Sequence, residues 1–176
     1  MKLYEALGLA PALALDMEDV KKRFYERSRQ WHPDRFSRAS AAEQDQALEM
    51  TAVLNDAFRT LRDPITRAEY FLKEQGLELS KDAPSELLEE VFELNMALEE
   101  LREGDASVLP QLESAADNFR AMRSASDTEL SRLFTEHDSS PDPATLDQIR
   151  ATLNRRRYVS NLVRDVEKEL HVHSAN

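Results

Sequence analysis

Glycine occurs three times in 176 residues, and each glycine closes a stretch that reads as helix. Gly8 follows Tyr4-Glu5-Ala6-Leu7, Gly76 follows Tyr70-Phe71-Leu72, and Gly104 follows Leu98-Glu99-Glu100-Leu101. A residue without Cβ enters the left-handed conformation that ends a helix at little cost, so these positions read as C-terminal caps. Helix starts are marked as clearly. Asp16 precedes a run with Val20, Phe24 and Trp31, and Glu18 and Asp19 suit the positive end of its dipole. Asp63-Pro64 and Asp142-Pro143 each pair a capping carboxylate with a proline preset for the first helical position. No stretch alternates with the period of a strand, and Ala, Leu, Glu and Arg are abundant, so the fold class expected is all-α.

The helices fall into two groups. Residues 1–75 hold a short opening helix, the helix after Asp16, a long helix with Ala47, Met50, Leu54, Ala57, Phe58 and Leu61, and one after Asp63 with Ile65, Ala68, Tyr70, Phe71 and Leu72. Residues 76–84 are broken by Ser80, Asp82 and Pro84 and read as a linker. Residues 85–176 carry three further amphipathic helices, which predict a bundle. The first shows Leu87, Val91, Leu94, Leu98 and Leu101. The second runs from about Ser107 to the region of Phe134, and the third starts at Asp142-Pro143 and carries Leu146, Ile149, Leu153, Val159, Val163, Val166 and Leu170. The tail from His171 to Asn176 is expected to fray.

Composition removes several functions. With no cysteine there is no disulfide framework, thiolate nucleophile or cysteine zinc site. A net charge of −11 disfavours general binding to nucleic acid. Charge is uneven, with seven Lys/Arg against four Asp/Glu in residues 17–38 and two against twelve in residues 77–117. Either these are two surfaces for different partners, or they are ordinary solvated faces. Apolar runs are too short to span a bilayer. The N-terminus has neither a secretory apolar core nor an Arg/Ser-rich leader, so the expectation is a soluble protein that stays where it is made, or a mature form.

Trp31-His32-Pro33-Asp34-Arg35 lies between the first two long helices. Pro33 disfavours helical geometry at His32, so the helix must end there and display an imidazole, a rigid ring and a carboxylate. Alone, the tripeptide could be a plain turn. As an acid–base pair it lacks a phosphate loop and a third orienting group, so an enzyme is not expected. His137, His171 and His173 lack a metal-ligand spacing and read as surface histidines, with no metal or cofactor expected.

In its context the tripeptide identifies a resemblance. Tyr4-Glu5-Ala6-Leu7-Gly8-Leu9, the His32-Pro33-Asp34 loop after a basic helix, and Leu54 to Pro64 resemble the opening helix, signature loop and third helix of the J-domain, over residues 1–75. The resemblance implies a helical hairpin with short flanking helices. It also implies that the loop and preceding helix dock on the ATPase domain of a DnaK-class chaperone and speed its hydrolysis. Asp34 would pair with an arginine of the chaperone, with His32 and Pro33 shaping the contact. On the helix, Lys22 and Arg29 lie opposite Val20 and Phe24, with Lys21 and Tyr25 beside them, and Glu26 interrupts the strip.

Arg67-Ala68-Glu69-Tyr70 and the acidic bundle together resemble the HscB-type co-chaperones of iron–sulfur cluster assembly. That resemblance implies an HscA-type chaperone partner and a bundle that binds the IscU-type scaffold protein. The positions implied for the scaffold are Leu88, Phe92, Glu93, Met96 and Tyr158. Phe92 and Tyr158 stand where leucine and phenylalanine are usual, and Met96 where an acid is common. The sequence supports such a surface separately: Leu88, Phe92 and Met96 form a stripe beyond the core stripe, flanked by Glu89, Glu93, Glu99 and Glu100. Tyr158 and Leu162 read as a similar extra stripe. The family's eukaryotic members may carry an N-terminal cysteine module, absent here, which leans towards a bacterial, cytoplasmic protein rather than one of the mitochondrial matrix. Two alternatives stay open: a J-protein of another pathway whose bundle binds a different client or dimerises, and a helical adaptor with an incidental loop.

Overall fold

The computed structural model describes residues 1–80 and 82–174, and no strand occurs among them. Seven helices follow in order: α1 Lys2–Leu7, α2 Met17–Gln30, α3 Ala41–Leu61, α4 Pro64–Glu74, α5 Leu88–Arg102, α6 Leu109–Ser139 and α7 Pro143–Ser174. Short 3₁₀ turns at Pro33–Phe36, Ser85–Leu87 and Ala106–Val108 lead into α3, α5 and α6. The caps are those the sequence marks. Asp16 accepts from the Glu18 amide, and Asp63 from those of Ile65 and Thr66. All three glycines have positive φ. α3 starts on a reciprocal capping box formed by Ser40 and Glu43.

The chain divides into two compact units, residues 1–78 with 134–142 and residues 79–133 with 143–176. In the first, α1 and α2 lie against α3. Leu7, Val20, Leu54, Leu61 and Leu72 are fully buried. Phe24 of α2 stacks on Phe58 of α3 with ring centroids 4.3 Å apart. Gly8 is where conformational freedom matters: its φ is +65°, and a Cβ there would meet the Arg27 guanidinium.

The second unit has one core. Leu87, Leu94, Ala97, Leu98 and Leu101 meet Val108, Leu112, Ala116 and Phe119 of the α6 segment and Val159, Leu162, Val163 and Val166 of α7. Cross-helix pairs join the exposed edges, Arg102 to Glu169, Arg120 to Glu167, and Arg156 to Asp127.

Several expectations change. Residues 134–142 were expected within the bundle but group with the first unit, because Asp138 accepts hydrogen bonds there from the amides of Leu13 (3.0 Å) and Ala14 (2.7 Å). α6 accordingly runs past Phe134 to Ser139. His137, expected at the surface, is buried with its ring edge-on to Phe71 at 5.5 Å. The tail is helical through Ser174, and Ala175 and Asn176 lie outside the described residues. Of the linker, Lys81 lies outside the described residues. Leu77 N–H caps the Leu72 carbonyl and Ser80 N–H donates to Asn154 Oδ1, so this connection is tied at both ends. Leu162 is core, and Tyr158 packs against that core half-buried, so the extra stripe read on α7 is a third helix closing the bundle.

Candidate functional site

The signature loop owes its shape to its sequence. His32 is extended, with φ −61° and ψ 128°, as its proline demands, and Pro33 opens a single 3₁₀ turn. His32 Nδ1 accepts from the Asp34 amide at 3.3 Å, so the imidazole caps the turn that carries the carboxylate. Arg35 N–H donates to the His32 carbonyl at 2.9 Å. The turn is fastened from behind. Trp31 stacks on Phe36 at 5.9 Å with rings 6° from parallel, and the Thr51 hydroxyl of α3 is shared between the Ala47 carbonyl at 2.8 Å and the Trp31 carbonyl at 3.2 Å. The Asp34 carboxylate is left 90% exposed, with the His32 Nδ1 atom 3.5 Å away.

The outer face of α2 leads to this loop. Lys21, Lys22, Tyr25 and Arg29 are all exposed, Tyr25 at 57%. Glu18 binds Lys21 at 2.8 Å and holds its ammonium above the ordinary pKa. Arg23 is withdrawn from that face, bound to Asp19 and, through Nη1, to the Gly8 carbonyl at 2.7 Å. Basic residues of α2 therefore divide between an exposed face and a clamp on α1, a division that the charge count does not reveal.

Arg67 and Tyr70 have structural duties. Buried Arg67 donates to the carbonyls of Leu13 (2.7 Å) and Leu61 (2.6 Å), and burial lowers its pKa from the ordinary arginine value. Tyr70 Oη accepts from Leu3 N–H at 3.2 Å, and its ring stacks on Tyr4. Tyr4 donates to the Ala12 carbonyl at 2.7 Å, and burial pushes its hydroxyl pKa upwards. The α1–α2 connection, and through it the start of α2, is thus held by Tyr4, Arg67 and Asp138. Sequence reasoning missed Asp138, for which nothing local gives a signal.

On α5, Leu88 is 56%, Phe92 65% and Met96 49% exposed, while Leu87, Leu94, Leu98 and Leu101 are buried. Glu89, Glu93, Glu99 and Glu100 beside them are exposed. Large apolar side chains on one helix face, rimmed by acids and needed by no core, make a surface suited to a partner. Among the described residues no group of three or more His, Asp or Glu could hold a metal ion, and no helix is long and apolar enough to cross a membrane.

Residues 2–70 match the DnaJ domain family, and residues 83–167 match the family described as the HSCB C-terminal oligomerisation domain. A curated relative in Shewanella halifaxensis, "Co-chaperone protein HscB homolog", is 33% identical over 85% of this chain and 88% of its own. The chain belongs to the HscB co-chaperone family. The solved HscB chaperone of Vibrio cholerae is similar at 27% identity and TM-score 0.67 over 96% of both chains. The human HscB crystal structure, 22% identical with TM-score 0.70 over 96% of this chain and 82% of its own, shares the fold. The architecture is that of the HscB family, a J-domain followed by a C-terminal helical domain; the His32-Pro33-Asp34 loop lies within the J-domain match and the α5 stripe within the C-terminal match.

Proposed function

We propose that this chain stimulates the ATPase of a DnaK-class, HscA-type chaperone through its His32-Pro33-Asp34 loop and brings to it the IscU-type scaffold of iron–sulfur cluster assembly. In this reading it acts in the bacterial cytoplasm. The observation that carries it is the display of Asp34, a carboxylate pushed into solvent by a capped turn at the end of a basic helix face. Such a group forms a charge-assisted bond with a guanidinium without first breaking one of its own. Lys21, Lys22, Tyr25 and Arg29 would supply the neighbouring contact, and the basic face would raise the association rate with an acidic surface. The chain performs no chemistry in this scheme. It contributes a coupling free energy to hydrolysis carried out by its partner. Leu88, Phe92, Glu93 and Met96 would receive the scaffold, with Tyr158 shaping the adjoining core.

The test is ATP turnover by the partner chaperone with purified scaffold present, comparing wild type with Asp34→Asn. Stimulation that needs Asp34 and grows on adding scaffold supports the reading. Equal inertness of the two proteins would overturn it. The match to an oligomerisation-domain family favours a second reading, in which the exposed α5 stripe joins copies of this chain. Light scattering separates the two, because Phe92→Ala would then lower the mass of the wild-type assembly.

A further inference from the structure

We propose that the groove between α5 and α6 is a docking slot for an arginine-bearing segment of a partner protein. Its centre lies about 150° around α5 from the Leu88–Phe92–Met96 stripe; Glu93, at the edge between them, is the residue it shares with the proposed scaffold surface. The groove encloses about 350 Å³, at the small end of ligand pockets, with room for a side chain or two rather than a large cofactor. Leu94, Ala97 and Phe119 form its floor. Glu90 and Glu93 stand on the α5 side, and Ser114 and Asn118 on the α6 side.

Neither Glu90 nor Glu93 has an ion-pair partner among the described residues. Like charges three residues apart on a helix repel, and a cation held between them relieves that cost. The surrounding segment, with two Lys/Arg against twelve Asp/Glu in residues 77–117, attracts a basic partner and repels an acidic one. The apolar floor between polar walls selects arginine. Its stem can lie on Leu94 and Phe119, and its flat guanidinium can direct N–H groups to carboxylates on one side and to hydroxyl and amide oxygens on the other. A lysine offers a compact point charge with three donors and lacks the planar fork.

The experiment is a methyl and amide NMR titration of the full chain with N-acetyl-arginine amide, with N-acetyl-citrulline amide as the uncharged control. The arginine compound should give saturable shifts at the Ala97, Ala115 and Met122 methyls. A dissociation constant on the order of 1 mM is ordinary for a ligand of about fifteen non-hydrogen atoms. The citrulline compound should give none. Glu90→Gln with Glu93→Gln should weaken binding at least about fivefold, whereas Glu100→Gln with Glu103→Gln, the same loss of charge about 10 Å or more along α5 from Glu93, should leave it within about twofold, since exposed charges beyond a Debye length are largely screened. Shifts spread over the whole acidic face, equal effects of the two double variants, or equal binding of citrulline would each overturn the proposal.

Discussion

Replacing Asp138 by alanine should loosen the first unit from a position more than 120 residues away from the loop it holds. The carboxylate accepts from Leu13 N–H at 3.0 Å and Ala14 N–H at 2.7 Å, and its side chain is 21% exposed. Hydrogen bonds to a charged group contribute about 1.5–3 kcal/mol each when solvent cannot replace them. Water can take over at Ala14, where the bond is exposed, but less readily at Leu13, where it is partly buried. Counting the Leu13 bond nearly in full and the Ala14 bond at a fraction gives a loss of about 2–3 kcal/mol. For a chain of this size that is a fall in Tm of about 4–12 °C. Asp138→Asn keeps one acceptor oxygen and should lose about half as much. Trp31, the sole tryptophan, lies in the first unit and makes its fluorescence the assay in urea unfolding. Amide exchange should quicken at Leu13 and Ala14 in parallel. An alanine variant within about 0.5 kcal/mol of wild type, the range of ordinary surface changes, would refute the assigned role of Asp138.

Four further outcomes are expected. Asp34→Asn should change stability by less than about 0.5 kcal/mol, because its carboxylate is exposed, while abolishing stimulation of the partner ATPase; unfolding and turnover are measured on the same sample. Phe92→Ala removes an exposed ring and leaves no cavity, so stability should hold while scaffold binding, followed by calorimetry, weakens about 30-fold, the size of an interface hot spot. Stability should decline as pH rises above about 10: Tyr4 ionises near that value when unfolded but is held protonated in the fold, so the folded state binds the extra proton. Tyr4→Phe should flatten that limb of the pH–stability curve. Gly8→Ala should cost at least about 1–2 kcal/mol in urea unfolding, the penalty of a left-handed L-residue, before displacement of Arg27 is counted.

The parts of the site that could be read in advance are those governed by near neighbours in the chain. Pro33 dictates the backbone of His32 whatever surrounds it, and a carboxylate before Pro64 or Pro143 marks a helix start in most settings. The Ser40–Glu43 box was equally local and could have been found by its spacing. Arg67 is different. It stood out as part of a motif, but its two carbonyl partners, Leu13 and Leu61, come from segments that meet only on folding.

Helical periodicity tells which residues share a face, and it does so because the rise and turn of the backbone are the same in every helix. It does not tell how many neighbours that face will meet. The two surplus stripes, Leu88–Phe92–Met96 on α5 and Tyr158–Leu162 on α7, looked alike on that basis. Packing separated them, leaving the first in solvent and placing Leu162 in the core with Tyr158 half-buried against it. His137 and Asp138 likewise sit on an ordinary polar-looking turn, yet burial against Phe71 and two amides of the α1–α2 connection gives them work in the first unit. The chain's helices, caps and displayed loop follow from covalent geometry and nearest neighbours. Which polar groups are buried, and which apolar ones are left for a partner, follows from contacts between distant segments, and only the folded chain decides those.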